Sequence, residues 1–167
     1  THENLLQSKK TYASDVELIP NAAEVDHFAR ASSPETPIAP DMTPFPRPII
    51  GVVGTLQYWI DFDLIRFLSE RRPGWSFVLI GPAGRLARIE RVRDRPNVHL
   101  LGRRPYEALP SYVKGFDVCL NPYVLDGTAL NCSPLKLYEY LASGKPVVSV
   151  DMPEARRFSD VILIGTS

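Results

Sequence analysis

The segment Ser133 to Pro146 reads Ser-Pro-Leu-Lys-Leu-Tyr-Glu-Tyr-Leu-Ala-Ser-Gly-Lys-Pro. Ser133 is a good N-cap, Pro134 suits the first helical position, and Gly144 with Pro146 makes a stop. Leu137, Leu141 and Ala142 then face a core, while Lys136, Glu139 and Ser143 form a polar stripe on another side. A cation in the first turn lies against the positive end of the helix dipole, which costs about 0.3–1 kcal/mol. A bound anion reverses that, because the free N–H groups of the helix start, set by Ser133, Pro134 (itself without an N–H) and Leu135, and the Lys136 ammonium would converge on it. A diphosphate is the natural candidate. A lysine reaching into solvent is the competing reading, and spacing alone leaves the two even. One turn further on, Glu139 has the chemistry to accept two hydrogen bonds from the vicinal hydroxyls of a ribose. On the residues alone, an exposed glutamate pairing with Lys136 or Lys145 is favoured over that role.

These residues need a scaffold, and the chain has the pattern of one. Short apolar runs recur at Val16–Ile19, Ile49–Val53, Phe77–Ile80, Val98–Leu101, Val118–Leu120, Val147–Val150 and Val161–Ile164. Several are apolar throughout, as in strands covered on both faces. Between them, stretches of helical periodicity run over Ile60–Arg71, Arg85–Asp94, Tyr106–Lys114 and Pro134–Ser143. Strand alternating with helix predicts an α/β fold, a Rossmann-like doubly wound parallel sheet. The loop Tyr123–Cys132, with Asp126, Gly127, Thr128 and Asn131, then falls between a strand end and a helix start, where ligands collect in such sheets. Trp59 and Asp61 read as helix-start residues, an aromatic packing inward and a first-turn carboxylate. Six prolines between Pro34 and Pro48 make residues 34–48 an extended, partly mobile connection.

Composition narrows the classes. Lys plus Arg and Asp plus Glu both number 19, so the net charge is zero and no electrostatic grip on nucleic acid is expected. The arginines at 85, 88, 91, 93, 95, 103 and 104 read mostly as the solvated face of one helix. Cys119 and Cys132 fit neither a metal-ligand spacing nor a disulfide framework. His27 and His99 have no partner that suggests a triad or a metal, and both read as structural. No apolar run approaches the roughly 20 residues that span a bilayer, and Thr1 to Lys10 is too polar for a signal peptide. The default location is cytoplasmic, with any contact to the inner membrane surface left to parts outside this chain. Residues 1–15 read as the remnant of a preceding interdomain segment and 16–167 as one Rossmann-like domain cut short at its C-terminus.

The order of these features resembles the C-terminal, donor-binding domain of GT-B glycosyltransferases, the family-4-like enzymes of group 1. Their pattern of an acidic residue in a helix, a small residue, Gly, any residue and Pro-Val-Val is met by Glu139, Ala142, Gly144, Pro146, Val147 and Val148. The family's Ile-Pro-Asn-Gly-Val-Asp is echoed by Ile19, Pro20, Asn21, Val25 and Asp26. The resemblance implies that Glu139 binds the donor ribose and that Gly54 and Thr55 form the turn approaching the diphosphate. It also implies that Arg103, Arg104 and Tyr106 lie near the nucleobase. A second family glutamate, which contacts the donor sugar, is replaced by Asn131, whose amide can still hydrogen-bond a sugar hydroxyl. The cation that many relatives carry soon after the glycine turn is absent from Gln57–Asp61, leaving its work to Lys136 or to a missing domain.

What the resemblance implies is glycosyl transfer from a nucleoside-diphosphate sugar to a saccharide or lipid-linked acceptor, in surface polysaccharide synthesis. The sugar nucleotide is then a substrate; no cofactor and no metal is required, since helix dipole and cations stabilise the leaving diphosphate. The acceptor site and base would belong to a missing N-terminal domain, so this chain alone is expected to bind nucleotide and transfer little. The competing reading is an NAD-type or noncatalytic Rossmann module. Neither Gly51-x-x-Gly54 nor Gly81-x-x-Gly84 meets the Gly-x-Gly-x-x-Gly that an NAD domain needs.

Overall fold

The structure, a computed structural model, describes residues 2–127 and 129–165. Six strands form one sheet: β1 (Ile49–Val53), β2 (Ser76–Ile80), β3 (Val98–Gly102), β4 (Val118–Asn121), β5 (Val147–Val150) and β6 (Leu163–Gly165). Their order is β3-β2-β1-β4-β5-β6 and every neighbouring pair is parallel. This is the doubly wound sheet that the apolar runs predict. β1 and β2 are buried at all five positions each, which is why they carry no alternation. The chain winds outward from β1 through β2 to β3, then returns to lay β4 on the other side of β1. That reversal leaves a crevice beyond the carboxyl ends of β1 and β4.

The helices are α1 (Glu3–Lys10), α2 (Val25–Ala29), α3 (Phe62–Arg71), α4 (Leu109–Gly115), α5 (Leu135–Ala142) and α6 (Pro153–Arg156). None of them is long and apolar enough to cross a membrane. α3 begins two residues later than its periodicity suggests, because Asp61 is its N-cap and accepts from the Leu64 amide at 2.8 Å. Asp61 thus acts outside the helix and not in its first turn.

Four expectations fail for physical reasons. Val16–Ile19 forms no strand: both flanks of β1 are already occupied by β2 and β4, and Ile19 is left 77% exposed. Arg85–Asp94 is not a helix but a set of turns with one 3-10 turn at Ile89–Arg91. Only Val92 of that stretch is buried, so there is no apolar face to dock it. Its arginines are still solvated, and Arg91 and Arg95 pair with Asp63 and Glu70. The 34–48 connection is packed and not a loose extended span. It makes a 3-10 turn at Pro40–Met42, buries Ala39 and Met42 in the core, and ties the Ala39 amide to the Ser111 carbonyl. Finally, β6 starts at Leu163 instead of Val161, which is exposed in the preceding turn.

Candidate functional site

Two glycines shape the turn at the carboxyl end of β1. Gly54 has φ +121° and Gly81, after β2, has φ +145°, a region that side-chain-bearing residues rarely enter. A Cβ on Gly81 would stand 2.0 Å from the Gly54 carbonyl oxygen, so the two turns touch backbone to backbone. Beyond them Leu56 and Ala83 continue the pairing as a parallel bridge, with the Leu56 amide donating to the Pro82 carbonyl at 3.0 Å. Gly54 and Thr55 are therefore held between two hydrogen bonds, from the Gly54 amide to the Ile80 carbonyl at 2.9 Å and from the Leu56 amide.

α5 meets this turn from the β4 side. Its N-cap is Pro134, with no side-chain cap, and not Ser133 as the capping pattern suggests. The reason is competition: the Ser133 hydroxyl faces the Tyr138 hydroxyl at 3.3 Å, while its carbonyl accepts from the Asn21 amide at 2.6 Å. A proline in the N-cap position offers the helix start no side-chain acceptor, its carbonyl taking only the Leu137 amide at 3.1 Å, so the first-turn N–H groups around Leu135 and Lys136 lack a side-chain cap.

Lys136 is 7% exposed, which removes the reading of a lysine reaching into solvent. A Cβ on Gly54 would lie 3.2 Å from Lys136 Cε and 3.5 Å from Nζ, so the ammonium rests on the glycine turn. Nζ lies 4.9 Å from the centre of the Tyr123 ring. Among the described residues it has no hydrogen bond and no carboxylate within 4.0 Å. Burial pushes its pKa down to about 8, opposed by the charge of Glu139. Glu139 is half-buried; burial raises its pKa, with the charges of Lys136 and His27 acting against that. The expected alternative, Glu139 paired with Lys145, does not occur, since Lys145 Nζ donates to the Lys114 carbonyl at 2.7 Å.

On the other side of the Gly54 turn a cleft of about 440 Å³ opens between the ends of β1, β2 and β3. Thr55, Pro82, Arg103, Arg104, Tyr106 and Leu109 line it, which brings together every residue expected near a nucleobase. Arg104 is committed to a network: its guanidinium donates to Asp41 at 2.8 Å and to the Tyr112 hydroxyl at 2.7 Å. Arg103 is exposed at the rim. Tyr106 is backed by His27, whose ring stacks on it at 4.4 Å and whose Nε2 donates to the Tyr106 carbonyl at 3.0 Å. Burial raises the Tyr106 pKa, with Glu24 and Glu139 adding to it.

Asn131 ends a 3-10 turn and donates to the Gly127 carbonyl at 2.8 Å, folding the loop on itself. Thr128 of that loop lies outside the described residues. A larger hollow of about 740 Å³ lies between α3 and β4–β6, walled by Leu64, Leu68, Leu120 and Val148. Among the described residues that line it, Arg156 is the one cation, and it is paired with Asp151 at 2.6 Å.

Residues 47–164 match the family described as glycosyl transferases group 1. The chain belongs to this family. Among relatives of the group 1 domain is TuaH of Bacillus subtilis (strain 168), named as a teichuronic acid biosynthesis glycosyltransferase. It is 29% identical over 111 residues, covering 65% of this chain and 28% of TuaH. Sucrose-phosphate synthase from Thermosynechococcus elongatus superposes with a TM-score of 0.70 at 18% identity, over 95% of this chain and 42% of that one. Anabaena HepE in complex with UDP-glucose gives 0.64 at 15% identity, over 90% and 43%. The group 1 domain thus spans well under half the length of these proteins, and its fold is that of the C-terminal half of GT-B glycosyltransferases.

Three contributors were not legible as site residues beforehand. Tyr140 is fully buried, and its hydroxyl accepts from the Val53 amide at 2.7 Å. β4 pairs with β1 only at Ile50 and Gly51, so the Val53 N–H needs another acceptor, and Tyr140 locks α5 to the strand leading into Gly54. Tyr123 and His27 are the others, each acting through a ring face that no motif announces.

Proposed function

We propose that this domain binds the nucleoside diphosphate part of a sugar nucleotide. Lys136 and the start of α5 meet the diphosphate, Glu139 takes the ribose hydroxyls, and the cleft beside Tyr106 takes the base. The observation that carries this reading is Lys136: a buried ammonium with neither hydrogen bond nor carboxylate within 4.0 Å among the described residues, resting on a glycine turn beside a helix start with no side-chain cap. Burying a charge without a partner is costly, and an anion that completes the site offsets that cost.

The leaving diphosphate gains negative charge as the bond to the sugar breaks. A pre-placed ammonium and helix N-terminus stabilise that charge without reorganising, and the reading needs no metal. Arg104 shapes the base cleft from its fixed position beside Asp41, while Arg103 is free to lie over a base. Asn131 stands on the sugar side. The acceptor site and the catalytic base come from a partner domain beyond this chain. UDP is the first nucleotide to try, given the UDP-glucose held by HepE, and the likeness to TuaH supports a surface polysaccharide as the destination of the sugar.

Calorimetric titration with UDP, GDP and NAD tests the reading. We expect UDP or GDP to bind and NAD not to. Glu139→Ala removes two hydrogen bonds to a carboxylate and should weaken binding by about 10- to 100-fold. Tight NAD binding, or a nucleotide affinity indifferent to both Glu139→Ala and Lys136→Met, overturns it.

A further inference from the structure

We propose that Tyr123 is the positioning residue for the Lys136 ammonium: its ring face holds the cation over the Gly54 turn, where a diphosphate would meet it. This rests on the reading of Lys136 given above, and it assigns the placement of that charge to a residue outside the family motif.

Three observations converge. The Lys136 ammonium is buried, and none of the described residues offers it a hydrogen bond or a salt bridge. Its close neighbours are the Gly54 turn on one side and, 4.9 Å away, the Tyr123 ring. A desolvated cation over an aromatic face is stabilised by the ring's quadrupole, and the effect grows as water is excluded. The ring is also fixed. Tyr123 is 7% exposed and belongs to an isolated antiparallel bridge with Ile60. The backbone on either side is clamped, with the Asp61 amide donating to the Pro122 carbonyl at 2.7 Å and the Val124 amide to the Trp59 carbonyl at 2.8 Å.

The titratable groups around the ammonium are few. Glu139 on α5 and Cys132 before it act on Lys136 directly. His27, from α2, acts on Glu139. Neither Glu139 nor Cys132 contacts Nζ as a salt-bridge or hydrogen-bond partner, so the ring is the group placed to keep the charge where it is. Deleting the ring face should lower the pH at which Lys136 loses its proton and let the side chain leave the turn.

The test replaces Tyr123 with Phe and then with phenylalanines carrying one, two and three ring fluorines, which drain the face of negative charge while keeping its shape. Lys136 is titrated by NMR of ¹³Cε-labelled lysine, and UDP affinity is measured on the same proteins. Tyr123→Phe should titrate like the parent and bind UDP within about twofold. Each added fluorine should lower the titration midpoint and the UDP affinity in step, to a total loss of about 5- to 30-fold. In a Lys136→Met background the fluorine series should leave UDP affinity unchanged. A Lys136 titration that ignores fluorination overturns the proposal, even if UDP binds and depends on Lys136. If the titration follows fluorination but no nucleotide binds, Tyr123 holds the cation and the reading of the diphosphate site fails instead.

Discussion

Two buried charges lie near α5 and are treated in opposite ways. Glu154, at the start of α6, is 1% exposed and fully engaged: the Tyr138 hydroxyl donates to it, and the Arg157 guanidinium reaches it at 3.1 Å. Lys136 is nearly as buried, yet among the described residues its ammonium has neither hydrogen bond nor salt bridge and rests against a ring face and a glycine turn. Burial alone therefore does not mark a functional charge. A buried charge whose partners are supplied by the chain is part of the fold, whereas one left without them is shaped for something that arrives later.

The sharpest way to break that contrast is Glu154→Ala. It removes the acceptor of the Tyr138 hydroxyl and the pair with Arg157, and it should cost about 3 kcal/mol. For a domain of this size that lowers Tm by about 6–12 °C in a thermal melt followed by circular dichroism. A loss below about 1 kcal/mol would show that Glu154 is not the satisfied member of the comparison.

Lys136→Met should move stability the other way, by about 1–2 kcal/mol at pH 7, while weakening UDP binding. The sign follows from the proton balance. Burial lowers the folded pKa from 10.5 to about 8, so between those values the unfolded chain holds more protons and the parent protein gains stability as pH rises. The cost of the buried ammonium is thus fully present below about pH 8 and relieved toward 10.5. Urea melts at pH 7 and pH 10 should show the variant's advantage shrinking, and an advantage constant with pH would contradict the assignment.

The smallest effect concerns how the site loop is tied down. Asn21 donates to the Ser133 carbonyl just before α5, from a segment 112 residues away in sequence. Asn21→Ala should cost about 1 kcal/mol of stability. Hydrogen exchange should speed up around Ser133 while the amides of β1 and β2 stay protected. Uniform loss of protection would mean that the tether belongs to the core and not to the loop.

Much of this was readable in the residues. Unbroken apolar runs located β1, β2 and β4, because a strand covered on both faces has few polar positions to confuse it, and β3 and β5 were found through runs that only His99 and Ser149 interrupt. Lys136 and Glu139 were legible because i, i+3 spacing fixes a shared side before any tertiary contact is known. What failed depended on neighbours. Val16–Ile19 has strand-forming residues, but β1, the strand that follows it in the chain, is already flanked by β2 and β4. Ser133 has the chemistry of an N-cap, and the outcome turned on Tyr138 and Asn21 engaging it first. The acceptor role of the Tyr140 hydroxyl could not be inferred, since the vacancy at the Val53 amide exists only because β4 diverges from β1.

The contact between Gly54 and Gly81 also bears on how the sheet assembles. β1 and β2 pair from Ile49 with Ser76 to Val53 with Ile80, and the two glycine turns follow directly. A slip of one residue would bring Ile80 or Pro82 to the place of Gly81, where even a Cβ stands 2.0 Å from the Gly54 carbonyl. Two long apolar strands have little else in their sequences to tell one alignment from the next. The glycines thus act as a steric key during folding, rejecting misaligned pairs at the very end of the strand.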